Sequence, residues 1–541
     1  MTSPDETAGR SAGVDVIVIG GGVAGLVAAR QLAHLGHAVV VLEARDSVGG
    51  FVASREVAGV RVDTGAESFA TRKGTVAALA AEVGLADDIV APNPVGAWVM
   101  WNGGCAPLPA SGLLGIPGVP LADDVRRIIG WKGVLRAYGD RLMPLLRVRK
   151  ETDLGDIVRR RMGARVLERL VTPVVAGVHS ADPSVVDVHT VAPGLTQAMT
   201  TQGSLSGAVM ALREQAPAGS AVQGIAGGMH RLVEALEADC RYYDVQFRTA
   251  ARVTALAPHR DAGGWTVEVT PEPDAGDATS GAVVSGAGAP GAGAPGGAPQ
   301  TLTARAVVVA TDFRPGLALL EEAGVVEGGD RTADPDEAAD EVGGAGAWPE
   351  PASVVIATVV LDEARLDAHP RGTGVLVAPG TPGVRAKALT HSSAKWAWLA
   401  ESLPAHRHVV RLSYGRRDGH PDGAVRSGAP GPESQEPGEA PFMPDQETVL
   451  RDASTLLGVP LSSADVVGFA VTPWTDSLAF ATVGHRARVR RMLAAVERIP
   501  GLDAVGAWVS GTGLAATVEH ARSTASALAA ELRGDRRLPL D

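Results

Sequence analysis

Gly20, Gly22 and Gly25 stand between an apolar run and a helix-like run, and their spacing suits phosphate chemistry better than any other part of the chain. Gly20 permits a tight turn, Gly22 lets backbone approach a pyrophosphate, and Gly25 lets a helix pack close to a strand. The helix amino terminus adds N–H groups and partial positive charge, both suited to phosphate oxygens. Glu43 closes a second apolar run, where a carboxylate can accept hydrogen bonds from ribose hydroxyls. Together these residues read as a complete dinucleotide-binding unit, and the chain as a nucleotide-cofactor enzyme.

The elements that must position these residues are in register. Val14 to Ile19 supplies the first strand, Leu26 to Ala33 the helix, Gly36 its stop, and Ala38 to Leu42 a second parallel strand. The glycine string alone is weak, because Gly286–Gly291 and Gly291–Gly296 fit the same pattern. Those copies open no helix, carry proline and lie in a Gly/Ala/Pro tract, so they read as low-complexity coil.

At 541 residues the chain suggests two or three domains, and 45% hydrophobic content is ample for a large core. A net charge of −12 argues against nucleic acid as a partner. Only Cys105 and Cys240 occur, with no CxxC pair, so neither a disulfide framework nor a cysteine metal site is expected. The first residues lack the basic start and apolar core of a signal peptide, and no apolar run is long enough to span a bilayer. A cytoplasmic protein is expected, with peripheral contact at the inner membrane face left open.

Three stretches, 271–300, 321–349 and 416–444, are rich in Gly, Ala, Pro and acidic residues and read as flexible insertions without chemistry. Around them the pattern is strand-rich, as in Val307–Val309 and Val354–Val360, whereas 121–217 is helical. Two further glycine turns precede helices: Gly224 to Met229, and Gly506 to Ala515 near the carboxyl end. The later one offers a second amino-terminal anion site. His406–Arg407–His408 reads as a surface strand, not a metal site, and no metal is expected. From Arg126 to Arg169, 13 Lys or Arg face five acidic residues, an excess that fits a polyanionic ligand or a phospholipid surface.

With these elements placed, the chain resembles the flavin-containing porphyrinogen oxidases of the flavin amine oxidase superfamily. Among them it is most similar to the oxygen-dependent coproporphyrinogen III oxidases, which share ancestry with protoporphyrinogen oxidase. The matching blocks are Val18–Gly25 with Glu43–Ala44 and Val48–Gly50, then Val62–Phe69, Arg159–Gly163 through Val171–His179, Trp474 with Gly484–His485, and Gly506 with Gly511–Ala515. The resemblance implies an α/β fold whose FAD-binding, Rossmann-like (GR2-type) domain is discontinuous, built from 14–75, 218–320 and 498–535. A helical domain is expected over 106–217, and a mixed α+β substrate domain over 76–105 and 350–497.

Carried over by position, the resemblance gives FAD contacts to Gly20, Gly21, Gly22, Val23, Ala24 and Gly25 at the pyrophosphate, with Gly49 and Gly50 beside them. Glu43 and Ala44 fall at the adenosine ribose and Val253 at the adenine. Gly65, Ala66, Glu67 and Ser68 fall along the flavin, with Trp474, Gly513, Leu514 and Ala515. Ser47 stands where the family has arginine, and Arg45 is near enough to substitute. The implied chemistry is flavin-centred, without a nucleophile or acid–base dyad. Porphyrinogen gives up six hydrogens and three O2 become three H2O2, as a step in heme biosynthesis.

Coproporphyrinogen carries four propionates, and Arg72 and Lys73, just beyond the flavin-side block, are the candidates to pair with them. Other heme-pathway enzymes are candidate partners. Protoporphyrinogen IX is the alternative substrate. An amine oxidase or desaturase of the same fold, or a catalytically degenerate FAD-binding protein, is the alternative function.

Overall fold

The computed structural model describes residues 14–143, 153–179, 181–215, 221–259, 263–271, 299–325, 348, 353–415, 441–475, 481–511 and 513–534. The three Gly/Ala/Pro-rich stretches fall largely outside the described residues.

Strand β1 (Val16–Ile19), helix α1 (Val23–His34) and strand β2 (Val39–Leu42) open the structure. Both strands are buried at every position, which is what a parallel strand covered on both faces requires. They sit inside a five-stranded parallel sheet ordered 246–248, β2, β1, 306–309 and 502–504. Strands far apart in sequence thus align their carboxyl ends along one edge, the edge where ligands of open parallel sheets bind.

One face of this sheet is covered by α1, by the His230–Tyr242 helix and by the carboxyl-terminal helix Leu514–Leu532, through a core including Leu26, Val27, Leu232, Leu236, Val518 and Leu528. The other face packs on the Phe313–Glu322 and His485–Val496 helices and on an antiparallel meander of 251–258, 265–271 and 300–304.

A second, seven-stranded mixed sheet runs in the order 466–474, 354–362, 407–414, 388–391, 374–377, 98–101 and 104–107. A small sheet of 69–70, 222–225 and 89–90 contributes a third patch of pairing.

The segment after residue 121 is helical, with its own core around Ile128, Ile157, Val158, Leu170 and Val209. One buried ion pair pins it: Arg161 Nε donates to Asp140 Oδ1 at 2.6 Å, and the Ser206 amide donates to Asp140 Oδ2 at 2.9 Å. The fold is α/β with both layered sheets and helices.

His406–Arg407–His408 does not form a surface strand. The strand starts at Arg407, and His408 is buried, sharing hydrogen bonds with His391 at 3.1 Å and Asp367 at 3.0 Å. Its ring is buried because the 407–414 strand lies inside the sheet with both faces covered, residues 408–412 being buried without a break. Among the described residues no cluster of three His, Cys, Asp or Glu is arranged to hold a metal.

Candidate functional site

At the end of β1 the chain turns in a space too tight for side chains. Gly20 has φ +108°, and a Cβ there would lie 2.6 Å from the Ala310 carbonyl oxygen. A Cβ on Gly25 would lie 1.9 Å from the Gly20 carbonyl oxygen, so α1 rests directly on the turn. Gly22 caps α1 without a side-chain hydrogen bond, and no acidic residue occupies the first turn. The first intrahelical bond is Leu26 N–H to Gly22 O at 2.9 Å, so the N–H groups of Val23, Ala24 and Gly25 have no partner within the helix. In front of Gly22 the space is open: the nearest atom to a Cβ placed there would be the Gly50 Cα, at 3.9 Å.

Gly49 and Gly50 form the flank of this opening. Gly22 and Gly49 bridge in parallel, and the Gly49 amide donates to Gly21 O at 2.8 Å. Glu43 is buried at the tip of β2, followed by the half-buried Ala44. The Glu43 carboxylate is held by two amides, Gly21 N–H at 2.7 Å and Arg45 N–H at 2.9 Å. Backbone bonds from Ala251 to Glu43 O and from Ala250 to Arg45 O stitch the next segment alongside, which brings Val253 to the neighbourhood of Glu43. Val253 itself sits where the ladder with the 265–271 strand slips register, half-buried.

The carboxyl-terminal helix starts next to this region. Gly513 has φ +105° with nothing within 4 Å of a Cβ, while Leu514 and Ala515 pack on the α1 core. By contrast, the Gly224–Met229 turn offers no anion site, because Asp63 already accepts from the Met229 amide at 2.8 Å and the His230 amide at 3.2 Å. The unpaired helix amides, the buried carboxylate and the open space before Gly22 and Gly513 fit a dinucleotide.

Beyond the turn, a second constellation forms around the 65–68 loop. A Cβ on Gly65 would lie 2.0 Å from the Phe51 carbonyl oxygen, and the Ala66 amide donates to that oxygen at 2.9 Å. Trp474 closes over the loop: its Nε1 donates to Thr64 O at 2.8 Å, Phe51 meets it edge-on at 5.1 Å, and Arg45 lies over its ring at 5.4 Å. Arg45 thus lies close to the paired glycines, its Nη1 reaching Gly50 O at 3.4 Å. Ser68 leads on into the 69–70 strand.

Glu67 points into the protein and meets residues that no local motif announces. Its Oε2 lies 3.1 Å from Arg411 Nη1 and 3.6 Å from Lys395 Nζ, and its Oε1 accepts from Trp396 Nε1 at 2.9 Å. Arg411 also donates to Gly65 O at 2.7 Å, tying the cation to the loop backbone. Burial pushes the Glu67 carboxyl up, but Lys395 and Arg411, with the Trp396 hydrogen bond, overcome it and hold the group at about 2. Arg411 could have been noticed, since an arginine inside the apolar run His408–Tyr414 must find a partner.

Arg72 and Lys73 lie in a short turn, Arg72–Gly74, with Lys73 in left-handed backbone. The Lys73 ammonium is engaged at the surface by Glu519, 3.0 Å away, and the Arg72 side chain lies outside the described residues.

Residues 23–316 match the family described as flavin containing amine oxidoreductase. A coproporphyrinogen III oxidase of Mycobacterium leprae is 27% identical over 521 residues, 95% of this chain and 98% of that protein. A chloroplastic protoporphyrinogen oxidase of Oryza sativa subsp. japonica is 34% identical over 205 residues, 37% of each chain. A solved structure from Exiguobacterium sp. 255-15, named as a candidate protoporphyrinogen oxidase, shares the fold with a TM-score of 0.71 at 22% identity, over 97% of this chain and 100% of that one.

Two outcomes follow. Gly22→Val should fold like the apoprotein, since its side chain meets open space, yet lose bound flavin; full flavin absorbance in the purified variant would contradict the cradle. Glu67→Gln should cost about 3–5 kcal/mol in urea unfolding, by leaving two buried cations without their anion. In the parent protein the Glu67 contribution is complete above pH 4.5 and fades as pH falls to about 2, because its folded-state carboxyl is the stronger acid. A variant as stable as the parent at pH 7 would refute the pairing.

Proposed function

The chain belongs to the flavin-containing amine oxidoreductases, and on that footing we propose that it is an FAD-dependent oxidase that converts coproporphyrinogen III to coproporphyrin III. It is an oxidoreductase with FAD as cofactor, and its relatives point to porphyrinogen oxidation in heme biosynthesis. The observation that carries the finer reading is the correspondence with a coproporphyrinogen III oxidase along 95% of the chain. The rice protoporphyrinogen oxidase match spans 37% of the chain, and the protoporphyrinogen-named structure that spans 97% shares the fold at 22% identity.

Bound FAD supplies the hydride acceptor and the route to O2. The residues of the chain bind and orient. In this reading the first-turn amides of α1 receive the pyrophosphate, Glu43 the ribose and the Val253 backbone the adenine. Gly65–Ser68, Trp474 and Gly513–Ala515 line the flavin side. Arg411, bonded to the Gly65 carbonyl, keeps that loop from shifting. Aromatisation drives the reaction, so position matters more than a strong acid or base. Six hydrogens leave the porphyrinogen, and three O2 carry them away as three H2O2.

No helix among the described residues is long and apolar enough to cross a membrane. In the Asp123–Tyr138 helix and the turn after it, Trp131, Leu135 and Leu142 are 61%, 66% and 79% exposed, with Arg126, Arg127 and Lys132 close by in sequence. Apolar side chains flanked by cations suit the headgroup zone of an anionic bilayer, and this reading sets the protein there peripherally.

Aerobic turnover on both porphyrinogens, followed by porphyrin fluorescence and peroxide, tests the substrate. Faster oxidation of the tetracarboxylate is expected; equal or faster oxidation of protoporphyrinogen IX overturns the preference. Co-sedimentation should show binding to phosphatidylglycerol vesicles, lost in Trp131→Ser/Leu135→Ser and in high salt. No binding by the parent protein overturns the surface reading.

A further inference from the structure

Glu67, Lys395 and Arg411 bring together two positive charges and one negative, and no other ion pair among the described residues involves them. A buried group with one cation in excess calls for an anion from elsewhere. The two cations are not equivalent. Arg411 is 8% exposed and spends one Nη on Glu67 and the other on Gly65 O. Lys395 stands 3.6 Å from Glu67, beyond ordinary hydrogen-bond length, and its side chain is 17% exposed. The ammonium lies 4.9 Å over the Trp396 ring and makes only the 3.6 Å ion pair with Glu67, so its N–H donors are left for another partner.

Lys395 also lines a cleft of 610 Å3, with Pro92, Pro94, Val222 and Thr373 among its walls. That volume is in the range of small-molecule sites, and the cleft is open to solvent rather than enclosed. Each of the two other polar side chains of the lining gives one donor to backbone. Asn93 donates its amide to Ala394 O at 2.9 Å, and Thr373 donates its hydroxyl to Gly96 O at 2.9 Å. The lining is chiefly apolar, with one ammonium at its wall. Such a site suits an apolar molecule carrying a carboxylate.

We propose that Lys395 receives a propionate of the porphyrinogen in this cleft, a substrate-binding role that rests on the porphyrinogen reading above. Binding brings a second negative charge to the cluster and matches the charges of Glu67, Lys395 and Arg411 with that of the ligand. The porphyrinogen is then held by a charge-assisted hydrogen bond in apolar surroundings, where such bonds are strongest.

The test uses the full-length, FAD-loaded enzyme with Lys395→Met and Lys395→Arg. Methionine keeps the stem and leaves Glu67 paired with Arg411. Lys395→Met should raise KM for coproporphyrinogen III about tenfold or more while kcat changes less than about threefold, with flavin content unchanged. Lys395→Arg should restore KM to within about threefold. The tetramethyl ester, which has no carboxylate, should be handled alike by parent and Lys395→Met. An unchanged KM overturns the assignment, as does a Lys395→Met enzyme that folds poorly or loses flavin, which would make the lysine part of the scaffold. If the parent enzyme oxidises neither porphyrinogen, the functional reading falls. The lysine is then judged by equilibrium binding of coproporphyrin III through fluorescence quenching: an equal Kd in parent and Lys395→Met overturns it, and a tenfold weaker one upholds it.

Discussion

A contact between two stretches of backbone underlies the whole arrangement. Gly25 lies so near the Gly20 carbonyl that a Cβ would sit 1.9 Å from its oxygen, and this approach seats α1 on the end of β1. Only then do the first-turn amides of α1 face the opening in front of Gly22, and only then can the Gly21 amide reach Glu43. The parallel sheet fixes the rest by register, since strands 246–248, 306–309 and 502–504 all end along the same edge. The meander leading to Val253 and the glycine turn leading to Gly513 leave from that edge because their strands do.

Beyond the glycine turn the organising force changes from backbone geometry to buried charge. Glu67 is held ionised by cations from the 407–414 strand of the second sheet and from the short helix Ser392–Lys395 before it, and Arg411 reaches through to the Gly65 carbonyl. The loop that would line the flavin and the lysine at the wall of the cleft are therefore parts of one electrostatic unit. Low dielectric strengthens these pairings, and it also makes any imbalance among them costly.

The α/β fold and the flavin were legible in the sequence because their signals are local. The apolar run ending at Ile19, the glycine spacing and Glu43 all fall within about 30 residues, and each has a steric or hydrogen-bonding reason that needs no distant partner. The Glu67 cluster was not legible, because it is assembled across the chain: Trp396 lies 329 residues from Glu67. Nearness in sequence pointed to Arg72 and Lys73 for the propionates, and the Lys73 ammonium lies 3.0 Å from Glu519 on the carboxyl-terminal helix. His408 misled for a related reason. A His-Arg-His run looks polar, yet the strand it opens is covered on both faces, and its last ring meets His391 and Asp367.

The central claim is that this glycine turn and its flanking segments hold one flavin dinucleotide. It is tested most directly by unfolding purified protein and identifying the released cofactor by chromatography. The account predicts FAD, equimolar with the chain. A cooperatively folded protein that releases no flavin, and takes up none from an excess of FAD, would contradict it.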